Sequence, residues 1–346
     1  MIFGYNIDFC NEPSLSDISP NLEIEIHDSA LSSHPRTSRK IIAEPTGATQ
    51  ILHKSLEYEH SAYSKNPISR FGISQKISAD KIIRVQCLSL PHFSRLTMPY
   101  PHSLQQVRYG FHQPMGETKG KHVEWMMEVQ RVLKLVWFPG TQTIGYEKLE
   151  GYAPERLRFW VYHTFLPLLF QMEDIYHILH AGCIEVEGKA VIFMAPSFGG
   201  KSTLTDYFLQ KGHRLLSDDT LAIDVQSRGA YRAVASWPFH RPYREAETLG
   251  DETEHFVTSP LEIAAVFRLE KADAGDAIAI EAIQGVEKFK TVHYGTFIPL
   301  SFLKERRFAF HAAFAKAVPV YRITIPWKRE RLDEVYRSIV AQVRRG

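Results

Sequence analysis

The segment that most constrains the fold of this chain is a glycine-rich run, APSFGGKST, at residues 195–203. It follows apolar residues from Ala190 to Met194 that are typical of a buried strand, and helical character begins at Lys201 or Ser202. Backbone N–H groups in such a turn point at phosphate oxygens, and the amino end of the following helix adds a favourable dipole. The sequence therefore predicts a strand, a phosphate-binding loop and a helix in succession.

The residue types in the loop suit a bound triphosphate. Gly199 and Gly200 permit close approach of the backbone, Lys201 is expected to neutralise the β- and γ-phosphates, and the Ser202 hydroxyl is expected to bind Mg²⁺. Ala195 stands where the usual pattern has glycine, which is tolerated if φ is negative there. A glycine-rich turn without function is the alternative that the strand–loop–helix order disfavours. The residues predicted to contact a nucleotide are Ala195, Pro196, Ser197, Phe198, Gly199, Gly200, Lys201, Ser202 and Thr203.

An acidic pair, Asp218 and Asp219, follows the predicted strand HRLL and the helix after the loop. One carboxylate beside a phosphate loop can hold Mg²⁺ directly or through water, and a second can accept the proton of an attacking hydroxyl. The alternative is that both merely cap or solvate a turn. His180 begins the strand hairpin that leads into the loop, where an imidazole could orient or tune Asp218, or serve a structural purpose.

Size and composition set the broad class. A chain of 346 residues exceeds one typical domain, which predicts two units or one large domain with an extension. With 44% hydrophobic and 23% charged residues, it has the composition of a soluble globular protein. Its 41 basic and 39 acidic residues nearly balance, so nothing in the charge favours nucleic acid or a membrane surface as a partner.

The cysteines and the apolar segments bear on localisation. Cys10, Cys87 and Cys183 are widely spaced, which favours neither a disulfide framework nor a zinc cluster and predicts a reducing cytoplasm. The first residues lack a basic region followed by an apolar run, so they do not resemble a secretory signal. The most apolar stretch, residues 157–172, is too short for an unassisted membrane span and is interpreted as a buried helix.

Residues 1–145 show weaker patterns than the remainder of the chain. Alternation predicts strands at residues 21–30 and 81–90, with a polar loop at residues 53–72 between them. Residues 124–138, EWMMEVQRVLKLVWF, have apolar residues at helical spacing, although the end, LKLVWF, fits a strand equally well. The methionines and aromatic residues there are interpreted as core.

From Pro154 onward the pattern alternates between helices and strands. A mixed α/β core follows from this order. The predicted elements are a helix ERLRFWVYHTFLPLLFQ, two strands in HILHAGCIEVEGKAVIFMA joined at Glu187-Gly188, a helix KSTLTDYFLQKG ended by Gly212, a strand pair in HRLLSDDTLAIDV, a strand at 261–271, a helix at 307–318, a strand PVYRITIPW and a closing amphipathic helix ERLDEVYRSIVAQV.

These segments together resemble a known family. LHAGCIEVEGKAVIFMAPSFGGKSTL followed by KGHRLLSDDTLAIDV is similar to the C-terminal domain of HPr kinase/phosphorylase and to HPr-kinase-related proteins. The spacing agrees with that family: fifteen residues separate His180 from Ala195, and seventeen separate Lys201 from Asp218. The resemblance covers residues 175–240 closely and the stretch 145–346 loosely.

The resemblance implies a role for each matching residue. Lys201 corresponds to the phosphate-binding lysine, Ser202 to a magnesium ligand and Asp218 to the catalytic carboxylate. Asp219 would support the metal, and His180 would assist Asp218. In the family, an acceptor serine loses its proton as it attacks the γ-phosphorus of ATP, and the protein supplies position and charge neutralisation. Some members also catalyse phosphorolysis.

The chain departs from the family in two later segments. Residues 233–247 replace a glycine-rich segment that carries a further glutamate near the metal. Glu245 could substitute for it, while His240, Arg241 and Arg244 could contact phosphate or acceptor, or be surface or structural residues. Residues 286–295 occupy the place of a mobile substrate loop, and their lysines, Lys288 and Lys290, are either phosphate contacts or a solvated charge run.

The overall prediction is an α/β fold with a P-loop kinase core of the HPr kinase and PEP carboxykinase type, a mixed sheet with flanking helices, in residues 146–346. Residues 1–145 are predicted to be an α+β region that recognises the acceptor or has an accessory role. The leading function is an ATP- and Mg²⁺-dependent serine kinase acting on a protein, peptide or small molecule in the cytoplasm, with homo-oligomers an option. A catalytically silent nucleotide-binding regulatory or assembly protein is the alternative, and a carboxykinase activity ranks last because its further metal and carboxylate ligands cannot be placed.

Overall fold

The computed structural model of the chain describes residues 3, 5–10, 82–90, 96–99, 107–111, 124–226, 229–241 and 247–346. Their strands and helices form a mixed α/β fold with three sheets. Within these ranges, no helix combines the length and the apolar character needed to span a bilayer. The predicted strand at residues 21–30 and the predicted loop at residues 53–72 lie outside the described residues.

One sheet contains seven strands in the order β1-β2-β7-β6-β5-β4-β3. The pairs β1 with β2 and β2 with β7 are parallel, and the remaining pairs are antiparallel. The strands in chain order are β1 (Asn6–Phe9), β2 (Ile82–Cys87), β3 (Leu96–Pro99), β4 (Val107–Phe111), β5 (Trp125–Val129), β6 (Leu133–Phe138) and β7 (Thr143–Lys148). The strand predicted at residues 81–90 is confirmed by β2.

The helix predicted across residues 124–138 is wrong, because this segment forms the antiparallel hairpin of β5 and β6. Its apolar residues fit both periods, and the hairpin brings Trp125 and Leu135 into the core. The connection is a tight turn in which Val132 N–H donates to the Val129 carbonyl, and Arg131 adopts a left-handed φ of 62°. The alternative of a strand for LKLVWF is confirmed.

The second sheet contains nine strands, with the path β11-β9-β10-β16-β13-β12-β8 and with β18 beside β16 and β17 beside β18. Strands β10, β16 and β18 are parallel neighbours, so their carboxyl ends meet at one edge of the sheet. The strands are β8 (His177–His180), β9 (Gly182–Val186), β10 (Lys189–Met194), β11 (Leu215–Ser217), β12 (Thr220–Val225), β13 (Tyr231–Val234), β16 (Leu261–Ala272), β17 (Ile280–Ala282) and β18 (Val320–Pro326), and the pair β14 (Phe239–His240) and β15 (Asp251–Glu252) forms a separate small sheet.

The segment predicted as two strands before the loop contains three. Glu187 and Gly188, at φ of 54° and 77°, form the predicted turn between β9 and β10, as expected for two left-handed residues in a tight hairpin. The earlier stretch divides at Ala181, whose N–H donates to the Asp219 carbonyl at 3.1 Å. Strand β8 then pairs with β12 instead of β10, which is why one predicted strand becomes two.

The helices flank the second sheet and connect it to the first. The apolar stretch before β8 is a continuous buried helix with a π-helical turn in its middle, which confirms the buried helix prediction. The Phe165 ring stacks on Trp125 of β5 at 4.3 Å, so this helix packs against the first sheet. The division at residue 145 stays a prediction. The helices are α1 (Pro154–Trp160), the π turn (Val161–Phe165), α2 (Leu166–Met172), α3 (Lys201–Gln210), α4 (Gly285–Tyr294), α5 (Lys304–Ala317) and α6 (Leu332–Arg345), with short 3₁₀ turns at Ser301–Leu303 and Arg329–Arg331.

Candidate functional site

The predicted phosphate loop connects β10 to α3 at the edge where the parallel strands end. Gly200, the residue before α3, has φ of 87°, a conformation that favours glycine. A Cβ on Gly199 would stand 2.6 Å from that of Ala195, so this position must also be glycine. Ala195 is not among the described residues with positive φ, which meets the condition for alanine at the first position.

The Lys201 ammonium group lies inside this loop. The residue is only 4% exposed, and Nζ donates to the Ala195 carbonyl at 2.7 Å, with the Pro196 carbonyl 3.5 Å away. The loop therefore holds a positive charge beside its backbone and at the amino end of α3. Both features favour an anion at this place.

The acidic pair connects β11 to β12 and lies beside the loop. A Cβ placed on Gly182 would stand 3.9 Å from the Lys201 Cβ and 3.7 Å from the Asp218 carbonyl oxygen. The same point is 2.9 Å from Thr205 Oγ1, so only glycine fits between α3 and the acidic pair. The backbone of Asp218 and the side chain of Lys201 thus both lie next to Gly182.

Asp219 is buried among three nitrogen-bearing side chains. Its Oδ2 accepts from His163 Nε2 at 2.8 Å and from Arg241 Nη2 at 3.1 Å, and its Oδ1 lies 3.1 Å from His180 Nδ1. Burial opposes ionisation of this carboxyl, but His180, His163 and Arg241 together outweigh it and hold its pKa well below the ordinary value. Asp219 is therefore ionised at neutral pH.

Two of these contacts differ from the sequence-based picture. The resemblance predicts that His180 assists Asp218, but its ring lies against Asp219, because β8 pairs with β12 and places His180 opposite Thr220. His163 was not predicted at all. It lies in the π turn, a widened helical turn that is frequent at functional sites, and the sequence of the helix gives no sign of it.

Asp218 has one oxygen with partners and one without. Its Oδ2 accepts from the Arg241 backbone N–H at 2.9 Å and lies 3.3 Å from His240 Nδ1. Burial opposes protonation of His240, but Asp218 and Asp206 outweigh it and raise its pKa. The other oxygen of Asp218, Oδ1, is buried and has no hydrogen-bond partner among the described residues.

Three hydroxyls around Asp218 share this lack of a partner. Ser217 Oγ, Thr220 Oγ1 and Thr205 Oγ1 are buried without hydrogen bonds in the described part of the chain. Buried polar atoms in folded proteins nearly always have partners, so such a group of atoms indicates a place where water or a ligand binds. These atoms lie next to the acidic pair and the helix that follows the loop.

The residues near the loop include oxygen donors of the kind that Mg²⁺ takes in proteins. No group of three or more histidine, cysteine or acidic residues arranged to hold a metal occurs among the described residues. Mg²⁺ needs no such group, since it keeps several waters and takes one or two carboxylates together with substrate phosphates. The Ser202 hydroxyl and the carboxylate of Asp218 or Asp219 fit this pattern. Both oxygens of Asp219 already have side-chain contacts, whereas Asp218 Oδ1 has no hydrogen-bond partner among the described residues.

The remaining predicted residues divide into three groups. His240 and Arg241 contact the acidic pair, whereas Arg244 and Glu245 lie outside the described residues. The segment at 286–295 lies almost entirely in helix α4, where Lys290 makes an exposed ion pair with Glu287 at 2.7 Å. Lys288 is half-buried, and burial lowers its pKa.

Comparisons with known proteins add little to this geometry. No family model matches the chain, and no curated protein matches it. One similar solved structure is that of the HPr(Ser) kinase/phosphatase from Coxiella burnetii, with 13% sequence identity and a TM-score of 0.30. The match covers 49% of this chain and 90% of that one. This likeness is too weak to support an argument, so the site must be judged on its own contacts.

Proposed function

We propose that this chain is a Mg²⁺-dependent kinase that transfers the γ-phosphate of ATP to a hydroxyl group, with serine in a protein or peptide as the leading acceptor and a small molecule as the other. The observation that supports the proposal is that the Lys201 Cβ and the Asp218 backbone carbonyl both lie next to Gly182, while both residues are buried. A phosphate-binding loop beside two buried carboxylates has the parts that phosphoryl transfer requires.

Residues 195–203 would bind the triphosphate of ATP. The Lys201 ammonium would exchange its carbonyl partners at Ala195 and Pro196 for phosphate oxygens, and the amino end of α3 would add its dipole. Magnesium, held by Ser202 and the acidic pair, would neutralise further charge on the phosphates when bound. The loop itself positions the γ-phosphorus for attack.

Asp218 is the proposed base. Because the Arg241 N–H donates to Oδ2, the unpartnered Oδ1 is the atom that we assign to the acceptor hydroxyl. The acceptor oxygen forms a bond to the γ-phosphorus, the bond from that phosphorus to the bridging oxygen breaks, ADP leaves, and the hydroxyl proton passes to Asp218.

The test is phosphate transfer from labelled ATP with magnesium, measured for the unaltered chain and for Asp218→Asn on a panel of serine peptides and small hydroxyl compounds. We expect Asp218→Asn to lower the transfer rate by about 10²- to 10⁴-fold, the usual contribution of a general base. Its ATP affinity should persist, whereas Lys201→Ala should lose ATP binding. Asp251→Asn, at an exposed position of β15, is the matched control and should behave like the unaltered chain. Equal transfer by Asp218→Asn and the unaltered chain would remove Asp218 from this role.

One observation favours a second candidate, a nucleotide-binding regulatory or assembly protein without turnover. Arg241, His163 and His180 already contact both oxygens of Asp219, which leaves this acid less able to support a metal. This candidate predicts ATP affinity that disappears in Lys201→Ala and no transfer to any acceptor. Turnover that depends on Asp218 would exclude it.

A further inference from the structure

The chain has five tryptophans, and Trp327 differs from the others in its exposure. Trp327 is 46% exposed, whereas the other four are buried. It follows directly on β18, and its backbone N–H donates to the Ala272 carbonyl at the end of β16 at 3.1 Å. The indole is therefore held at the edge of the sheet where the phosphate loop begins. The buried tryptophans are Trp125, Trp137, Trp160 and Trp237.

The exposed indole lies against the loop. Two atoms of its six-membered ring are 3.2 and 3.3 Å from the point that a Cβ on Gly200 would occupy. Phe198, in the same loop, is 83% exposed and has a left-handed φ of 61°. Large aromatic side chains are normally covered, so their exposure beside a phosphate-binding loop indicates a binding surface.

A basic side chain accompanies the indole. The Lys271 ammonium lies 4.9 Å from the centre of the Trp327 ring, within the range of a cation–π interaction. This contact helps to fix the orientation of the ring. A fixed and exposed aromatic surface is the kind on which a nucleobase stacks, because every base has a flat apolar face.

We infer that Trp327 is the stacking platform for the base of the nucleotide whose phosphates occupy residues 195–203. The inference rests on the nucleotide-binding part of the proposed function and adds the residue that recognises the base. Purine nucleotides are expected to bind more tightly than pyrimidine nucleotides, because a purine offers the larger stacking surface. The competing explanation is that Trp327 only supports the loop by packing on Gly200.

Binding of two magnesium-loaded probes, ATP and inorganic tripolyphosphate, separates these explanations. Calorimetry should show that Trp327→Ala binds ATP about 5- to 100-fold more weakly, the range expected for loss of one base–aromatic stack. Tripolyphosphate, which has no base, should bind the variant and the unaltered chain alike. Trp327→Phe should retain most of the ATP affinity. Phe308→Ala, which removes an exposed aromatic residue from α5, is the control and should change neither affinity.

Other binding results for Trp327→Ala would contradict the stacking inference. Equal weakening of both probes in Trp327→Ala would show that the ring supports the loop, and unchanged ATP affinity would show that no stacking occurs. Either result overturns the inference and leaves the proposed function intact, provided that tripolyphosphate binding still depends on Lys201. Failure of the unaltered chain to bind either probe would overturn both.

Discussion

Strand β8 has a histidine at each end, and the two have opposite surroundings. His180, at the carboxyl end, lies against the Asp219 carboxylate among the polar residues of the candidate site. His177, at the amino end, stacks on Phe310 with ring centres 3.9 Å apart. It belongs with His293 and His311 to a group that we name the histidine cluster, in which the Nδ1 atoms of the latter two lie 3.2 Å apart.

Asp219 and the histidine cluster are both affected by burial, but the neighbouring charges decide whether a side chain is ionised. Burial lowers the pKa of His177 to about 4, and burial together with His293 and Arg307 lowers that of His311 to about 3, so both are neutral at pH 7. Asp219 is buried as well, yet its three nitrogen partners keep it ionised. The comparison shows that this chain holds charge in its interior at the candidate site and avoids it in the histidine cluster.

The largest stability effect should come from Asp219→Asn, which removes the charge of this carboxylate and nearly preserves its shape. His163 and Arg241 would then face a neutral group inside the protein. Breaking a buried ion pair on one side usually costs about 3–5 kcal/mol, and we expect a loss in that range in the free energy of unfolding by urea. Asp219 stabilises the folded state fully at pH values above the ordinary pKa of aspartate. This stabilisation is lost only as the pH falls through the depressed pKa of the folded state.

A double-variant cycle with Arg241→Met makes this prediction sharper. If Asp219 compensates the Arg241 charge, the double variant Asp219→Asn with Arg241→Met should lose less unfolding free energy than the two single variants lose in total. Asp251→Asn, on the exposed strand β15, should change the unfolding free energy by less than about 0.5 kcal/mol. Strictly additive losses would mean that the two residues stabilise the fold independently.

The sequence predicts the parts of the site that are local in the chain and fails for those that are not. The strand, loop and helix around Lys201 depend on neighbouring residues, and so do the two aspartates after β11. His163 and Arg241 contact Asp219 across 56 and 22 positions of sequence, a distance over which periodicity carries no information. The sequence predicts that His180 lies at the loop end of the sheet, but its partner depends on the pairing of β8 with β12.

The fold shows the same division between local and distant determinants. Glu187-Gly188 has the residues of a tight hairpin and was predicted correctly. The turn between β5 and β6 places Arg131 in a left-handed conformation without glycine or asparagine, so no turn residue marks its position. The apolar residues on both sides of this turn then fitted a helix as well as a hairpin.

A smaller effect is expected in the histidine cluster and depends on pH. A histidine whose pKa is lowered by folding stabilises the folded state fully at pH values above its unfolded pKa of about 6.5. This stabilisation is lost as the pH falls from there toward the folded pKa. When the pH is lowered from 7 to 5, His177 and His311 should each reduce the free energy of unfolding by about 2 kcal/mol. His177→Phe, which keeps an aromatic ring on Phe310, should remove about half of that combined loss.

The measurement is urea unfolding of His177→Phe and the unaltered chain at pH 7, 6 and 5. His255→Gln, at an exposed position, is the control and should show the same dependence on pH as the unaltered chain. An identical loss of stability in His177→Phe and the unaltered chain would mean that His177 takes up its proton equally in the folded and unfolded states. The contrast between the two ends of β8 would then disappear.

The smallest effect on the free energy of unfolding is expected for an ion pair that is exposed to solvent. Arg131 Nη2 is 2.9 Å from Glu150 Oε2, as short as the contacts of Asp219, but the two side chains are 72% and 74% exposed. Solvent and salt screen such a pair, so Glu150→Gln should lower the unfolding free energy by less than about 1 kcal/mol, and by less still at high salt. Urea unfolding of Glu150→Gln and Asp219→Asn under identical conditions measures the difference. A cost for Glu150→Gln as large as that for Asp219→Asn would show that burial is not what gives the Asp219 contacts their strength.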